Sequence, residues 1–303
     1  MFRNALKSAR QVKAPVRAFS TRATAARAVP RPSNTLLFST AAACAAGLSL
    51  YSLYTHQSIA LDEKKGPIIQ PTDSVQPPTS TPPFPTKMSA DGKEWSLLGC
   101  GVRRVSFLGF DVYAIGLYLP ESQKREVREL LQSTSGFQQA NGDVEEFKKS
   151  LLDPVHGAAK IRWLLDQGID IRIRIVPVRN TDFGHLRDGF VRTILAHPEA
   201  KEASQNKEFA DGLSELKTIF SRKMSVPKHN ILVMNRKGNN GELKITYYDA
   251  KSEADLGEGS ELGTVHNPQV SELLLLQYLT GKKPISETLR DSVINGLVTV
   301  AIE

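Results

Sequence analysis

Apolar and polar side chains alternate along residues 95–98, 102–108, 112–119, 169–178, 230–235 and 243–248, which predicts a strand at each. The last two flank Lys237-Gly238-Asn239-Asn240-Gly241, turn chemistry that joins them as a hairpin. A spacing of three and four takes over at 182–197, where Phe183, Leu186, Phe190 and Ile194 fall on one helical face and Asp182 is placed to cap it. The same rhythm predicts helices over 204–220, 270–279 and 288–302, with Gly281 and Pro284 punctuating the gap between the last two. Strands first and helices late imply an α+β domain, an antiparallel sheet with helices packed on one face.

One residue sits oddly in this pattern. Alternation places Arg103 on the face of Val105 and Phe107, and Arg104 with Ser106 on the other, so one of the two arginines points inward. A buried guanidinium is costly unless a carboxylate, phenolate or carbonyl meets it. That partner is either a ligand or the protein itself. Asp111 and Asp170 are acids able to close an internal ion pair, and snorkelling over the sheet edge is a third arrangement.

The segment Gly101-Val102-Arg103, the turn at Gly109, Ala114-Ile115-Gly116 and Tyr118-Leu119 resemble the first core hairpin of the chalcone isomerase family. The resemblance continues more weakly to the end of the chain and covers roughly residues 91–303. It implies an open-faced β-sandwich. It also implies a cleft between sheet and helices, in which the plant enzymes close a chalcone with an arginine, a threonine, a tyrosine and an asparagine. Carried over residue by residue, the arginine is Arg103, the threonine falls on Tyr113, and the other two fall near Phe183 and Phe190. Three polar positions are thereby changed. Phe183 and Phe190 offer no hydroxyl or amide, and the polar clamp of the cyclase becomes apolar.

The expected site is therefore Arg103, Tyr113, Phe183 and Phe190, suited to a small apolar carboxylate. A fatty acid fits that description, and haem, through its propionates, is a second such ligand; no cofactor is assigned. Non-catalytic members of the family that bind fatty acids keep an equivalent arginine. Two other readings stay open, an intramolecular lyase acting on a flavonoid-like or other enone, and a ligand-free scaffold of the inner membrane.

The front of the chain speaks of location. Eight basic residues, from Arg3 to Arg31, precede the first acid, Asp62, in an Arg-, Ala- and Ser-rich leader that reads as a mitochondrial presequence over 1–34, with cleavage after Phe19. Residues 35–54 carry no charge and just suffice to span a bilayer as one helix. Arg22, Arg27 and Arg31 before the span, with Asp62 and Glu63 after it, place the expected domain in the intermembrane space, anchored to the inner mitochondrial membrane. Residues 55–92 are rich in Pro, Ser and Thr and read as a disordered tether, leaving 93–303 for the domain.

Charge changes the picture only by subtraction. The net charge of +7 includes the eight leader cations, and without them 31 basic residues face 32 acidic ones, so the domain has no charge excess that calls for nucleic acid. Cys44 and Cys100 are too few for a disulfide framework or a cysteine metal site, and the six histidines show no metal-ligand spacing. His185, Arg187, Asp188 and Arg192 read as the solvated flank of the 182–197 helix. Phosphate-loop, dinucleotide and serine-hydrolase signatures are lacking.

Overall fold

The computed structural model describes residues 73–105, 109–249 and 259–303. Seven strands form one antiparallel sheet: β1 (Lys87–Ala90), β2 (Lys93–Val105), β3 (Phe110–Pro120), β4 (Ile171–Pro177), β5 (Ile231–Arg236), β6 (Leu243–Tyr248) and β7 (Ser260–Val265). Their order across the sheet is β7-β6-β5-β4-β3-β2-β1. Four helices, α1 (Lys124–Ser133), α2 (Ser135–Ala140), α3 (Val144–Leu152) and α4 (His156–Asp166), connect β3 to β4. Four longer ones follow, α5 (Phe183–Leu195), α6 (Lys207–Ile219), α7 (Pro268–Leu279) and α8 (Glu287–Ile302), with a single helical turn at Ala200–Ala203 between α5 and α6.

The α+β architecture expected from the sequence is present, with its main core between the helices and one sheet face. Odd positions of β3 and β4 (Tyr113, Ile115, Leu117, Leu119; Ile171, Ile173, Ile175) meet Phe183, Phe190, Leu275, Leu279, Val293 and Leu297 there. Asp182 caps α5 by accepting from His185 N at 2.8 Å, and Lys237 N donates to Glu242 O at 2.9 Å across the β5–β6 turn. The helices α1 to α4 have no counterpart in the periodicity reading, although Val127 and Leu131, Phe147 and Leu151, and Ile161 and Leu165 are buried at helical spacing. β7 was missed as well, since Ser260-Glu261-Leu262-Gly263-Thr264 lacks a branched apolar run.

Two expected strands, 95–98 and 102–108, are one. Gly99-Cys100-Gly101 reads as a break, yet β2 runs through it with a bulge between Leu97 and Gly99. The glycines serve α8. A Cβ on Gly101 would lie 2.2 Å from Leu289 N, and one on Gly99 2.5 Å from Val293 N. Beyond the short β1, the outer edge of β2 has no strand partner, and α8 side chains take its backbone groups instead. Ser292 Oγ accepts from Cys100 N at 3.1 Å, Thr288 Oγ1 accepts from Val102 N at 3.0 Å, and Ser286 Oγ donates to Val102 O at 2.8 Å.

The opposite sheet face corrects the tether boundary. Residues 73–92 belong to the fold: Ser74–Val75 pairs with Phe84–Pro85, and β1 joins the sheet. Phe84 is fully buried over Gly116, where a Cβ would meet its ring at 2.5 Å, and the Arg174 guanidinium stacks on it at 4.4 Å. Arg172 lies buried beside it, donating to Asp91 Oδ2 at 2.7 Å and Asn235 Oδ1 at 3.2 Å. The proline-rich composition concealed this one aromatic anchor. Among the described residues no helix is long and apolar enough to cross a membrane. The expected presequence, the expected span at 35–54 and residues 55–72 lie outside the described residues.

Phe84→Ala tests the boundary. Emptying a fully buried phenylalanine site costs about 3–5 kcal/mol, so the urea midpoint of the variant should fall markedly. An unchanged midpoint would return residue 84 to the tether.

Candidate functional site

β2 brings Arg103 to the helix-covered face because Val102 is held on both its backbone groups by α8, which fixes the orientation of the next residue. Arg103 is 8% exposed. Its cross-strand neighbour in the β2–β3 register is Tyr113, and its Nη1 donates to Tyr113 Oη at 2.9 Å. Tyr113 Oη is in turn hydrogen-bonded to Tyr278 Oη on α7. The second guanidinium nitrogen, Nη2, reaches Gly189 O on α5 at 3.5 Å. Gly189 makes room for this: a Cβ there would stand 3.3 Å from Nη1.

Neither internal ion pair forms. Asp111 pairs with Arg104 at 2.7 Å, and Asp170 is occupied by Lys93 at 2.5 Å and by Gly238 N at 2.7 Å. Among the described residues Arg103 has no salt bridge, so a buried cation is met only by two phenols and a carbonyl. Burial opposes the charge, but the phenolic oxygens of Tyr113 and Tyr278 more than restore it, and the guanidinium stays ionised. Burial, reinforced by the neighbouring Tyr113, pushes the Tyr278 phenol well above its ordinary range. At neutral pH Tyr278 is therefore a hydroxyl, able to donate.

The aromatic residues divide. Phe190 packs on Tyr113 with ring centroids 6.1 Å apart. Phe183 stands two helical turns earlier and joins the group indirectly, through Phe220 at 6.0 Å and Phe220 to Phe190 at 5.5 Å. All three rings are buried. Four residues along β3 from Tyr113, on the same face, Leu117 borders a small apolar cavity of about 40 Å³. Leu119, Leu164, Leu275, Leu279 and Leu297 also line it. Leu279 follows Tyr278 directly, so the cavity and the polar cluster share α7 as well as β3.

Of the four residues expected from the sequence, the structure brings Arg103, Tyr113 and Phe190 together and sets Phe183 one ring further away. Sequence reasoning missed Tyr278 and Gly189. The signal for Tyr278 was present: it is the only phenol in the leucine-rich run of α7, in Leu273-Leu274-Leu275-Leu276-Gln277-Tyr278-Leu279. The His185 reading holds, since its ring is exposed and bonded to Asp182. Cys100 lies on the far sheet face, where burial pushes its thiol up to about 11, so it supplies no nucleophile at neutral pH. Among the described residues no three His, Cys, Asp or Glu side chains gather as a metal site.

Known proteins share the fold and the family. Residues 93–294 match the family described as Chalcone isomerase like. The Debaryomyces hansenii protein named Altered inheritance of mitochondria protein 18, mitochondrial, is 40% identical over 256 residues, 82% of this chain and 82% of its own length. The Kluyveromyces lactis protein of the same name is 37% identical over 265 residues, 84% of this chain and 79% of its own. Among solved structures, an Arabidopsis thaliana fatty-acid binding protein superposes with a TM-score of 0.54 at 18% identity, covering 76% of this chain and 100% of that one, a likeness of fold. The family match takes in β2 to β7 and with them the strand pair that carries Arg103 and Tyr113, and the chain belongs to the chalcone isomerase-like family.

Proposed function

We propose that this is a mitochondrial ligand-binding protein that holds an amphipathic carboxylate, with the head group on Arg103 and the apolar body between sheet and helices. The observation that carries this reading is the buried Arg103 guanidinium, whose partners among the described residues are all neutral. No carboxylate among the described residues neutralises that charge, and an arriving one supplies a charge-assisted pair. Tyr113 and the protonated Tyr278 add hydroxyls beside it.

The body of the ligand is favoured by the path along β3. Leu117 and Leu119 lie about 13–20 Å from Tyr113 at 3.3 Å per residue. At about 1.25 Å per carbon, an extended alkyl chain of roughly ten to sixteen carbons covers that span. The cavity there is small, so a chain occupies it by displacing leucine and valine side chains and loosening α7 from the sheet. Haem would present the same carboxylate, and Arg103 suits a propionate. A porphyrin disc needs the packed rings of Phe183, Phe190 and Phe220 to part. A fatty acid is the better fit.

Mitochondrial residence is supported by the acid-free leader and by the relatives named as mitochondrial. The leader, a span at 35–54 and a domain beyond it in the intermembrane space form one consistent reading of the basic flank at Arg22, Arg27 and Arg31. The lyase reading loses ground because Phe183 and Phe190 bring no hydrogen bond to a substrate carbonyl.

Three measurements check these statements. Arg103→Ala should weaken binding of a long-chain fatty acid about tenfold to a hundredfold, the worth of a charge-assisted pair, while Arg104→Ala, which loses only an exposed pair with Asp111, should bind nearly as before. Equal effects would assign Arg103 to structure; the same titration with haemin, followed by its Soret band, ranks the two ligands. Chalcone turnover by the purified protein should barely exceed the spontaneous rate, since each lost orienting donor costs about 10²–10³ in rate, and rapid stereospecific cyclisation would overturn the binding reading. N-terminal sequencing of the protein from mitochondria should begin within a few residues of Ser20, and an intact Met1 would remove the presequence.

A further inference from the structure

The end of the sheet at which Arg103 lies carries exposed apolar and basic side chains together. Three large apolar side chains are exposed there: Val105 (43%) and Phe110 (44%) at the β2–β3 hairpin, and Met224 (49%) in the segment after α6. Hydrogen bonds hold these pieces together as one surface. Val178 N donates to Val112 O, His229 N to Pro177 O, Lys228 N to Asn180 Oδ1, and Phe183 N to Met224 O. Arg179 lies over the Phe110 ring at 5.2 Å. The loop after α7 returns to the same end, because Ser286 bonds to Val102.

Cations surround the apolar residues. Arg179, Lys223, Lys228, Lys282 and Lys283 are exposed and have no salt bridge among the described residues; Arg104 is exposed and paired with Asp111. Among the described acids nearby, Asp111 is paired with Arg104, Asp182 caps α5 and bonds His185, and Asp249 accepts from Asn230, while Glu287 at the start of α8 is exposed without an ion pair. Among the described residues, five cations without an ion pair thus stand around protruding valine, phenylalanine and methionine side chains at this end, against one acid without an ion pair on α8, Glu287.

We propose that this end docks on an anionic lipid bilayer surface, with Phe110, Val105 and Met224 entering the head-group layer and the five unpaired cations facing lipid phosphates. Interleaved apolar and basic side chains are what an interfacial contact requires: apolar burial holds the protein at the boundary, and each cation near a negative leaflet adds an attraction that salt screens. Nucleic acid would reward the cations but leave Val105 and Met224 in water. The docking stands without the carboxylate reading. Where both hold, the surface sets the Arg103 end of the β2–β3 hairpin against the phase in which a fatty acid dissolves.

The test uses the full chain with Cys44→Ser and Cys100→Ser and a polarity-sensitive fluorophore attached through Phe110→Cys, with a second preparation labelled through Ser89→Cys at the opposite end of the sheet. No fatty acid is added, so the outcome is independent of ligand binding. With vesicles of phosphatidylcholine plus an anionic phospholipid, emission from position 110 should shift to the blue and position 89 should not respond. Phosphatidylcholine alone should give little shift, and added salt should reverse it. Lys223→Glu combined with Lys228→Glu should weaken the anionic-vesicle response at least about tenfold with thermal unfolding unchanged. A water-like spectrum at position 110 on anionic vesicles would overturn the proposal and leave an acidic protein as the occupant. The same shift on zwitterionic vesicles, or one indifferent to the two reversals, would overturn it too.

Discussion

Gly99, Gly101 and Gly296 let α8 approach β2 to a distance that no side chain would permit. A Cβ on Gly296 would fall 1.9 Å from Leu98 O, as close as the contacts at Gly99 and Gly101 are from the other side. Close packing of this kind is intolerant of even one added methyl group. Its consequence reaches Arg103. With the helix this near, Ser286 and Thr288 hold both backbone groups of Val102, and the direction of the Arg103 side chain is set before any ligand is considered.

From Arg103 the constraint spreads to the other elements. Tyr113 on β3, Tyr278 on α7 and Gly189 on α5 all meet the guanidinium or its first partner, so four segments far apart in sequence converge on one charge. Low local polarity makes each of these bonds stronger and makes any missing partner costlier. A site built this way has a poised cation on a rigid platform. The apolar cavity bordered by Leu117 and Leu279 lies along the same strand and helix, which gives the site a polar and an apolar end.

Much of this was legible in the chain, and the exceptions share causes. The hairpin of β5 and β6, the α5 cap at Asp182 and the inward Arg103 follow from local rules, since turn chemistry, capping and alternation are short-range properties. The bulge between Arg103 and Arg104 breaks that alternation, which is why Val105, expected on the face of Arg103, is exposed. The glycines of β2 looked like breakers because their reason lies 190 residues away in α8. Phe84 was hidden by the prolines around it, and Tyr278 by the leucines. In each case the deciding partner is distant in sequence, and no local pattern reports it.

The way α8 seals β2 also bears on how the molecule behaves among its own copies. An unpaired strand is a template on which another chain adds itself, and antiparallel sheets with two free edges are prone to stack into larger assemblies. Here each boundary carries a device. The overhanging part of β2 has its amides bonded to serine and threonine hydroxyls; β1 is four residues long and opens with an exposed Lys87. At the other boundary, the β6–β7 register shifts between Ile245 and Thr246, and Gly263 tucks under Ile219 of α6. Loss of the α8 contact would uncover β2 from Leu98 onward, so the glycine distance that orients Arg103 is also what keeps the sheet from growing by strand addition.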